Sequence, residues 1–482
     1  MKKINTCNDN IFALSTPVGG AIAVIRASGS GVLPALMEIF SGRIEHRQLN
    51  YGKITDRIEP DGGQGEERKE NDTGALAVLD EAMAVYFRAP HSYTGEDMFE
   101  LNLHGSYSVV SAVSRALTRR GMRLAEAGEF TKRAFLNGKM DLVQADAVMD
   151  LINAETRRGA SAALEQLEGG LSRRIGAIEE KLLDFASELA AAMDYPEEME
   201  DEVLSAAPEV LNSAISRIRD LIDNGNCNKI IREGAKLAIL GRPNVGKSSL
   251  LNALMNAERA IVTNIAGTTR DVLEEKIDLL GLPVRIADTA GIHETGDAVE
   301  KIGIERALHE AASAECVLLL FDGSAGITQE DERLVQKVFG MNCRNIIFII
   351  NKCDLPDCGT AAEQLKNIAP ENGWSISRIS CRTGFGLDEL KHRIAEAVGL
   401  SEGRAIVTNE RHIECLSAAC AELCEAAELF SKGGNAAEML LPQTELVAES
   451  VGNALHCLGE ISGREVSEEL LDRIFERFCV GK

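Results

Sequence analysis

Eight consecutive residues constrain this 482-residue chain more than any others: Gly241-Arg-Pro-Asn-Val-Gly-Lys-Ser248. They follow a short apolar run, 236–240, and open a stretch with helical spacing. A strand, a glycine-rich loop and a helix in that order aim several backbone N–H groups and the positive end of a helix at one point, the arrangement a phosphate group needs. Such a loop requires a parallel sheet behind it. Further apolar runs at 284–288, 316–321, 345–350 and 375–379, with helical segments between them, supply its strands. The expected unit is a doubly wound α/β fold over about 234–398.

The chemistry of the loop extends to other motifs. Lys247 would reach the outer phosphates and the Ser248 hydroxyl would bind Mg²⁺. Asp288-Thr289-Ala290-Gly291 ends the run 284–288; its carboxylate would hold Mg²⁺ through water and the Gly291 N–H would meet the γ-phosphate. Thr268-Thr269-Arg-Asp271 lies between the two, where a switch threonine senses the γ-phosphate; Thr269 is favoured. Asn351-Lys352-x-Asp354 selects the base, because a carboxylate accepts from both N1–H and the exocyclic amine of guanine and adenine offers no such pair. Ser380-Cys381-Arg382 would contact the base oxygen. The nucleotide is therefore GTP. Its expected contacts are residues 244–249 (Asn244, Val245, Gly246, Lys247, Ser248, Ser249), 263–269 (Thr263, Asn264, Ile265, Ala266, Gly267, Thr268, Thr269), 288–291, Asn351, Lys352, Asp354 and 380–382. Ile292 stands where Ras-type sites carry a water-orienting Gln, so another residue must orient the water.

The rest of the chain reads as three further segments: an α/β domain over 1–136, and helical segments over 137–233 and 399–482 that flank the nucleotide-binding unit. Runs 21–26 and 82–87 read as strands and 109–117 as a helix. Leu164, Leu167, Leu171, Ile175, Ile178, Leu182, Phe185 and Leu189 form one apolar stripe, expected on a single long helix. Pro196 and the acidic residues around it separate that helix from the next. A net charge of −24 argues against a broad nucleic-acid-binding face. Two local basic groups, Arg119, Arg120, Arg123, Lys132, Arg133 and Arg157, Arg158, Arg173, Arg174, read as solvated helix faces. The twelve cysteines form no CxxC pair and read as small buried hydrophobes. With no apolar leader in 1–15 and no apolar run long enough to span a bilayer, a cytoplasmic protein is expected.

Beyond the nucleotide motifs, three stretches and the terminal Phe478-Cys-Val-Gly-Lys482 carry a resemblance. They are Thr16-Pro-Val-Gly-Gly-Ala-Ile-Ala-Val-Ile-Arg-Ala-Ser-Gly29, Ser92-Tyr-Thr-Gly-Glu-Asp97 and Gly128-Glu-Phe-Thr-Lys-Arg-Ala-Phe-Leu-Asn-Gly-Lys-Met-Asp-Leu142. On these the chain resembles, nearly end to end, the MnmE (TrmE) family of tRNA-modifying GTPases. The resemblance implies a homodimer formed through a folate-binding N-terminal domain, with a G domain inserted in a helical domain. It implies an FAD-binding partner, MnmG (GidA), completing a heterotetramer, and installation of a carboxymethylaminomethyl or aminomethyl group at C5 of the tRNA wobble uridine. Arg26, Glu100, Lys139 and Lys482 match the positions that contact a 5-formyltetrahydrofolate-type one-carbon donor. Asn244, Thr263, Ile265 and Thr268 match those that hold K⁺, Ser248 and Thr269 those that hold Mg²⁺, and Glu300 the catalytic glutamate, acting with Lys247 and Thr269. A ribosome-assembly GTPase would need an RNA-binding appendage or a second G domain, and neither is legible. A nucleotide-gated scaffold is disfavoured by the intact Lys247, Ser248, Thr269 and Asp288.

Overall fold

The computed structural model describes residues 9–17, 19–57, 76–194, 206–223, 234–257, 275–286, 308–341, 343, 345–356, 358–368, 375–399, 409–432 and 441–481. The contacts within the chain separate two compact units, Met1–Ala145 with Ser462–Lys482, and Asp146–Ile461.

The first unit is built on a six-stranded sheet, β1 (Ile11–Leu14), β2 (Ile22–Ser28), β3 (Asn50–Arg57), β4 (Leu76–Phe87), β5 (Met98–His104) and β6 (Arg123–Leu124), in the order β3-β4-β5-β2-β1-β6. All neighbours are antiparallel except β1 and β6. Inward residues alternate along the strands, with Ala23, Ile25 and Ala27 of β2 beside Phe99, Leu101 and Leu103 of β5. Helices Val32–Ile39 and Tyr107–Arg119 cover that face through Leu36, Val113 and Leu117. The second helix begins where the Ser106 hydroxyl accepts the Val109 N–H. The expected strands at 21–26 and 82–87 and the helix at 109–117 are present, the first running on to Ser28, the second starting earlier at Leu76, and the helix spanning Tyr107–Arg119. Strands β1, β3, β5 and β6 carried no signal strong enough to read.

The last residues of the chain belong to this unit. Helix Glu468–Phe475 packs on helix Glu129–Leu136, with the Phe475 ring 6.4 Å from Phe135 and 5.1 Å from Phe478. Val480 bridges to Ala127, and the Gly128 N–H donates to the Cys479 carbonyl. A Cβ on Gly128 would stand 2.6 Å from the Phe475 carbonyl oxygen, and its φ of 66° is a second reason for glycine.

The second unit holds a second six-stranded sheet, β7 (Ala235–Gly241), β8 (Glu275–Leu279), β9 (Leu282–Ile286), β10 (Cys316–Asp322), β11 (Ile346–Asn351) and β12 (Ser375–Arg378), ordered β12-β11-β10-β7-β9-β8. β8 runs antiparallel to β9 and the other pairings are parallel. Parallel strands are covered on both faces, which is why their sequences are continuous apolar runs. Along β10, Leu318 and Leu320 enter one core, while Val317, Leu319 and Phe321 enter the other. Each of the five apolar runs forms a strand within its described residues, and 287–288 lie outside them. β8, which alternates Lys276, Ile277, Asp278, Leu279, is an additional edge strand.

Among the described residues, the helices of this unit are Leu142–Asn153 (whose first turn lies in the first unit), Arg157–Leu167, Gly170–Asp194, 206–223, Glu410–Lys432 and Leu441–Ser462, besides those between the strands. The expected single long helix is two. Gly169, at φ 82°, ends the first, so Leu164 and Leu167 lie on a different helix from Leu171 to Leu189, and Leu164 is exposed. Unbroken i, i+3, i+4 spacing cannot reveal a left-handed glycine that turns the axis.

The basic group of the first unit is paired. Arg119 and Arg120 meet the buried Asp56, Arg123 and Arg133 meet Asp9 and Glu129, and Lys132 meets Asp472. Cys316 and Cys420 are buried as expected, but Cys479 is exposed and Cys353 and Cys358 are joined by a disulfide. Among the described residues no helix is long and apolar enough to cross a membrane.

Candidate functional site

At the carboxyl ends of β7, β11 and β12 three loops meet, where ligands bind in open α/β sheets. The loop after β7 is Gly241–Gly246, and helix Lys247–Ala257 begins at its end. Gly246 has φ 103°, and a Cβ there would collide with the Asn351 amide; only glycine lets the two loops close. Val245 is buried beneath the loop. The Lys247 ammonium donates to the Gly241 and Arg242 carbonyls at 2.7 and 2.8 Å, so its charge is drawn into the loop. Ser248 is half-buried on the first helical turn beside it.

The loop after β11 is fastened onto the first. Asn351 Nδ2 donates to the Val245 carbonyl at 2.9 Å, and Lys352 Nζ donates to the Asn244 carbonyl at 3.0 Å. Lys352 also pairs with Asp322 at the end of β10, 2.6 Å away. Burial would raise the Asp322 carboxyl, but Lys352 and the two bonds from Ser324 prevail and hold it below the ordinary carboxylate range. These two residues therefore tie together the loops that must hold phosphate and base.

Asp354 is oriented by the third loop. The Ser380 hydroxyl donates to its Oδ1 at 2.7 Å, and Arg382 lies 3.5 Å from Oδ2. The hydroxyl first, and the arginine charge with it, hold the carboxyl below its ordinary value, so it is an ionised, acceptor-only group at neutral pH. The Cys381 N–H reaches the Asn351 side-chain oxygen at 3.2 Å. Asn244, Gly246, Ser249, Asn351, Asp354 and Arg382 are among the residues lining one open cavity of about 460 Å³. A carboxylate aimed into such a cavity from the base end, with a phosphate loop at the other, has the polarity and size for a guanine nucleotide.

Several expected site residues lie outside the described residues: 263–269 with Thr263, Ile265, Thr268 and Thr269, 288–291 with Asp288, Glu300, and Lys482. Among the described residues no cluster of three or more His, Cys, Asp or Glu side chains could hold a metal ion.

A second group lies in the first unit. Arg26 of β2 and Glu100 of β5 are register partners and form an ion pair at 2.8 Å. The Arg26 guanidinium also covers the Tyr93 and Phe130 rings, at 5.4 and 5.9 Å from their centroids. Lys139 donates to the Pro90 carbonyl at 3.1 Å, and its stem lies along Gly95, where a Cβ would come within 3.2 Å. The loop 90–97 thus touches both Arg26 and Lys139.

Family models match both parts of the chain. That of the GTP-binding protein TrmE N-terminus matches residues 10–139, and that of the MnmE helical domain matches residues 142–479. The protein named tRNA modification GTPase MnmE in Lactobacillus delbrueckii subsp. bulgaricus is 39% identical, with 98% of each chain covered. Its namesakes in Aquifex aeolicus and Moorella thermoacetica are each 40% identical, over 98% of this chain and 99% and 100% of theirs. The chain belongs to the MnmE family.

A solved structure of Era in complex with MgGDPNP and a 16S ribosomal RNA segment overlaps 39% of this chain and 66% of its own, at 26% identity and a TM-score of 0.28. Two partners of the nucleotide loops lie outside the sequence motifs. Asp322 was legible in principle, as the one charged residue closing an apolar strand. Asp331, which meets Arg242, sits in an ordinary acidic helix start and gave no signal.

Proposed function

We propose that this protein is a potassium-dependent GTPase that acts in the cytoplasm with an FAD-dependent MnmG-type partner to install a carboxymethylaminomethyl or aminomethyl group at C5 of the tRNA wobble uridine. One observation carries the GTP assignment: Asn351 and Lys352 bond the phosphate-loop carbonyls while Ser380 holds the ionised Asp354 toward the same cavity. The tRNA assignment rests on family membership and on the names its relatives bear.

In this reading the backbone N–H groups of 244–248 and Lys247 bind and orient the phosphates, and Asp354 reads the guanine edge. Ser248 and Thr269 would hold Mg²⁺. Asn244, Thr263, Ile265 and Thr268 would hold K⁺, an oxygen-only donor set suited to a hard cation. Asn244 fits: it is exposed, lines the cavity, and keeps its carbonyl engaged by Lys352, which leaves the amide oxygen as its donor. The cations supply positive charge to the phosphate oxygens when bound. Glu300 orients the water in place of the Gln that Ile292 excludes.

The one-carbon donor belongs to the N-terminal domain, 1–136, which also dimerises. Arg26, Glu100, Lys139 and Lys482 would hold it. The Arg26–Glu100 ion pair, with the Arg26 guanidinium over the Tyr93 ring, suits a flat heterocycle bearing N–H donors and an acidic tail. The nucleotide domain spans 234–398, with helical segments 137–233 and 399–482 on either side of it.

Mass spectrometry of wobble uridines from cells lacking this protein tests the proposal. Loss of the C5 aminomethyl-type substituent, restored by the wild-type gene, is the expected result; an unchanged modification profile refutes it.

A further inference from the structure

Arg242, the second residue of the phosphate loop, reaches out of the loop to another element. Its Nε donates to Asp331 Oδ1 at 2.8 Å. The Asp331 side chain is 1% exposed, and its other oxygen, Oδ2, accepts the Thr328 N–H and the Thr328 hydroxyl, both at 2.9 Å. Asp331 thus caps helix Gln329–Phe339 with one oxygen and grips the loop with the other. The helix is itself fixed, because Val335 and Val338 are buried in the core that also holds Ala238 and Leu240 of β7.

The location gives this pair a task. Arg242 lies between Gly241, which leaves the strand at φ 157°, and Pro243, which has no N–H to donate. The pairing of β7 with β10 ends at Gly241, yet the N–H groups that follow must already converge when phosphate arrives. The Arg242 carbonyl also receives the Lys247 ammonium, so Arg242 helps set where that ammonium waits before phosphate takes the carbonyl's place. A buried carboxylate oxygen satisfied by a single guanidinium is costly to strip, which makes the contact persistent.

We propose that Arg242 and Asp331 are positioning residues for GTP: a buried clamp that fixes the entry of the phosphate loop to helix Gln329–Phe339 and so preorganises the loop for the nucleotide. The proposal rests on the GTP-binding reading of the site. A contact made equally before and during the reaction supports binding rather than the chemical step, so its loss appears in KM and not in kcat.

The test uses the full chain with GDP and GTP as probes. Arg242→Ala and Asp331→Asn should each weaken GDP binding and raise the KM for GTP by roughly tenfold, with kcat within about twofold of wild type. The double variant should be no worse than either single one, since both remove the same contact. Arg242→Lys keeps the charge and stem, should recover part of the affinity, and serves if Arg242→Ala does not fold. Thr328→Val separates clamp from cap: it weakens the helix start without touching Arg242, so it should lower the melting temperature and leave GDP affinity intact. Wild-type affinity in Arg242→Ala and Asp331→Asn overturns the clamp, as does an equal loss in Thr328→Val. Failure of the wild-type chain to bind GDP overturns instead the reading of the site on which the clamp rests.

Discussion

Asn244 and Lys352 are two of the four non-glycine residues, among those described, that adopt a left-handed backbone, at φ 62° and 63°. The conformation costs an ordinary L-residue roughly 1–2 kcal/mol, and asparagine tolerates it best. The two touch each other, Lys352 Nζ on the Asn244 carbonyl, so strained residues from separate loops meet at the nucleotide cavity. For Asn244 the conformation turns the peptide toward Lys352 and leaves the side chain exposed at the cavity. If that side chain is a potassium ligand, wild-type GTP hydrolysis should be much faster in potassium than in sodium. Asn244→Ala should reduce the potassium rate on the order of a hundredfold and make the two salts equivalent. Steady-state rates in the two chlorides decide it, and a retained potassium preference in the variant would remove Asn244 from the site.

Helices Leu142–Asn153 and Glu410–Lys432 are joined by an ion pair and a buried histidine contact. Asp146 accepts from Arg411 at 3.0 Å and lies 3.2 Å from the ring of His412, which is fully buried. Burial pushes the His412 imidazole down, and Asp146 does not fully offset this. Burial would raise Asp146, but the bonds and charges of His412 and Arg411 prevail and lower it. Both shifts have the same consequence. An unfolded His412 takes up its proton first, so its contribution is complete above about pH 6.5 and is lost as the pH falls; that of Asp146 is complete above about pH 3.9 and fades below it. The thermal midpoint of this unit should therefore drop on acidification from pH 7.5 to 5. One such group contributes a slope of at most about 1.4 kcal/mol per pH unit. His412→Gln should flatten that decline; an identical profile in the variant would show that His412 does not titrate on unfolding.

At the scale of the whole molecule, the first unit joins two segments from far apart in the sequence, described over 9–145 and 462–481. Residues 462–481 return to pack on helix Glu129–Leu136 and strand β1, where the Ser15 hydroxyl donates to the Gly481 carbonyl. Phe475 is the centre of that closure, 2% exposed and flanked by Phe135 and Phe478. Phe475→Ala should cost roughly 3–5 kcal/mol in the stability of the first unit, read as an earlier unfolding transition, while leaving GDP affinity unchanged. A weakened nucleotide site in that variant would mean that the two units are energetically coupled.

The phosphate loop, the guanine motif and the five parallel strands were legible from the chain alone. Each is a contiguous pattern whose meaning is local: glycines where backbone must approach phosphate, and unbroken apolar runs where a strand is covered on both faces. The family match was equally legible, because its motifs are contiguous. What the sequence could not yield were features that depend on residues far apart meeting in space. The break at Gly169 left the apolar spacing intact, four arginines of the first unit found the buried carboxylates Asp56 and Glu129, and helix Glu468–Phe475 packed on helix Glu129–Leu136. The Arg242–Asp331 contact links positions 89 residues apart. Its two members are unremarkable in sequence, because an ion pair's worth is set by burial and geometry, and only the tertiary structure decides those.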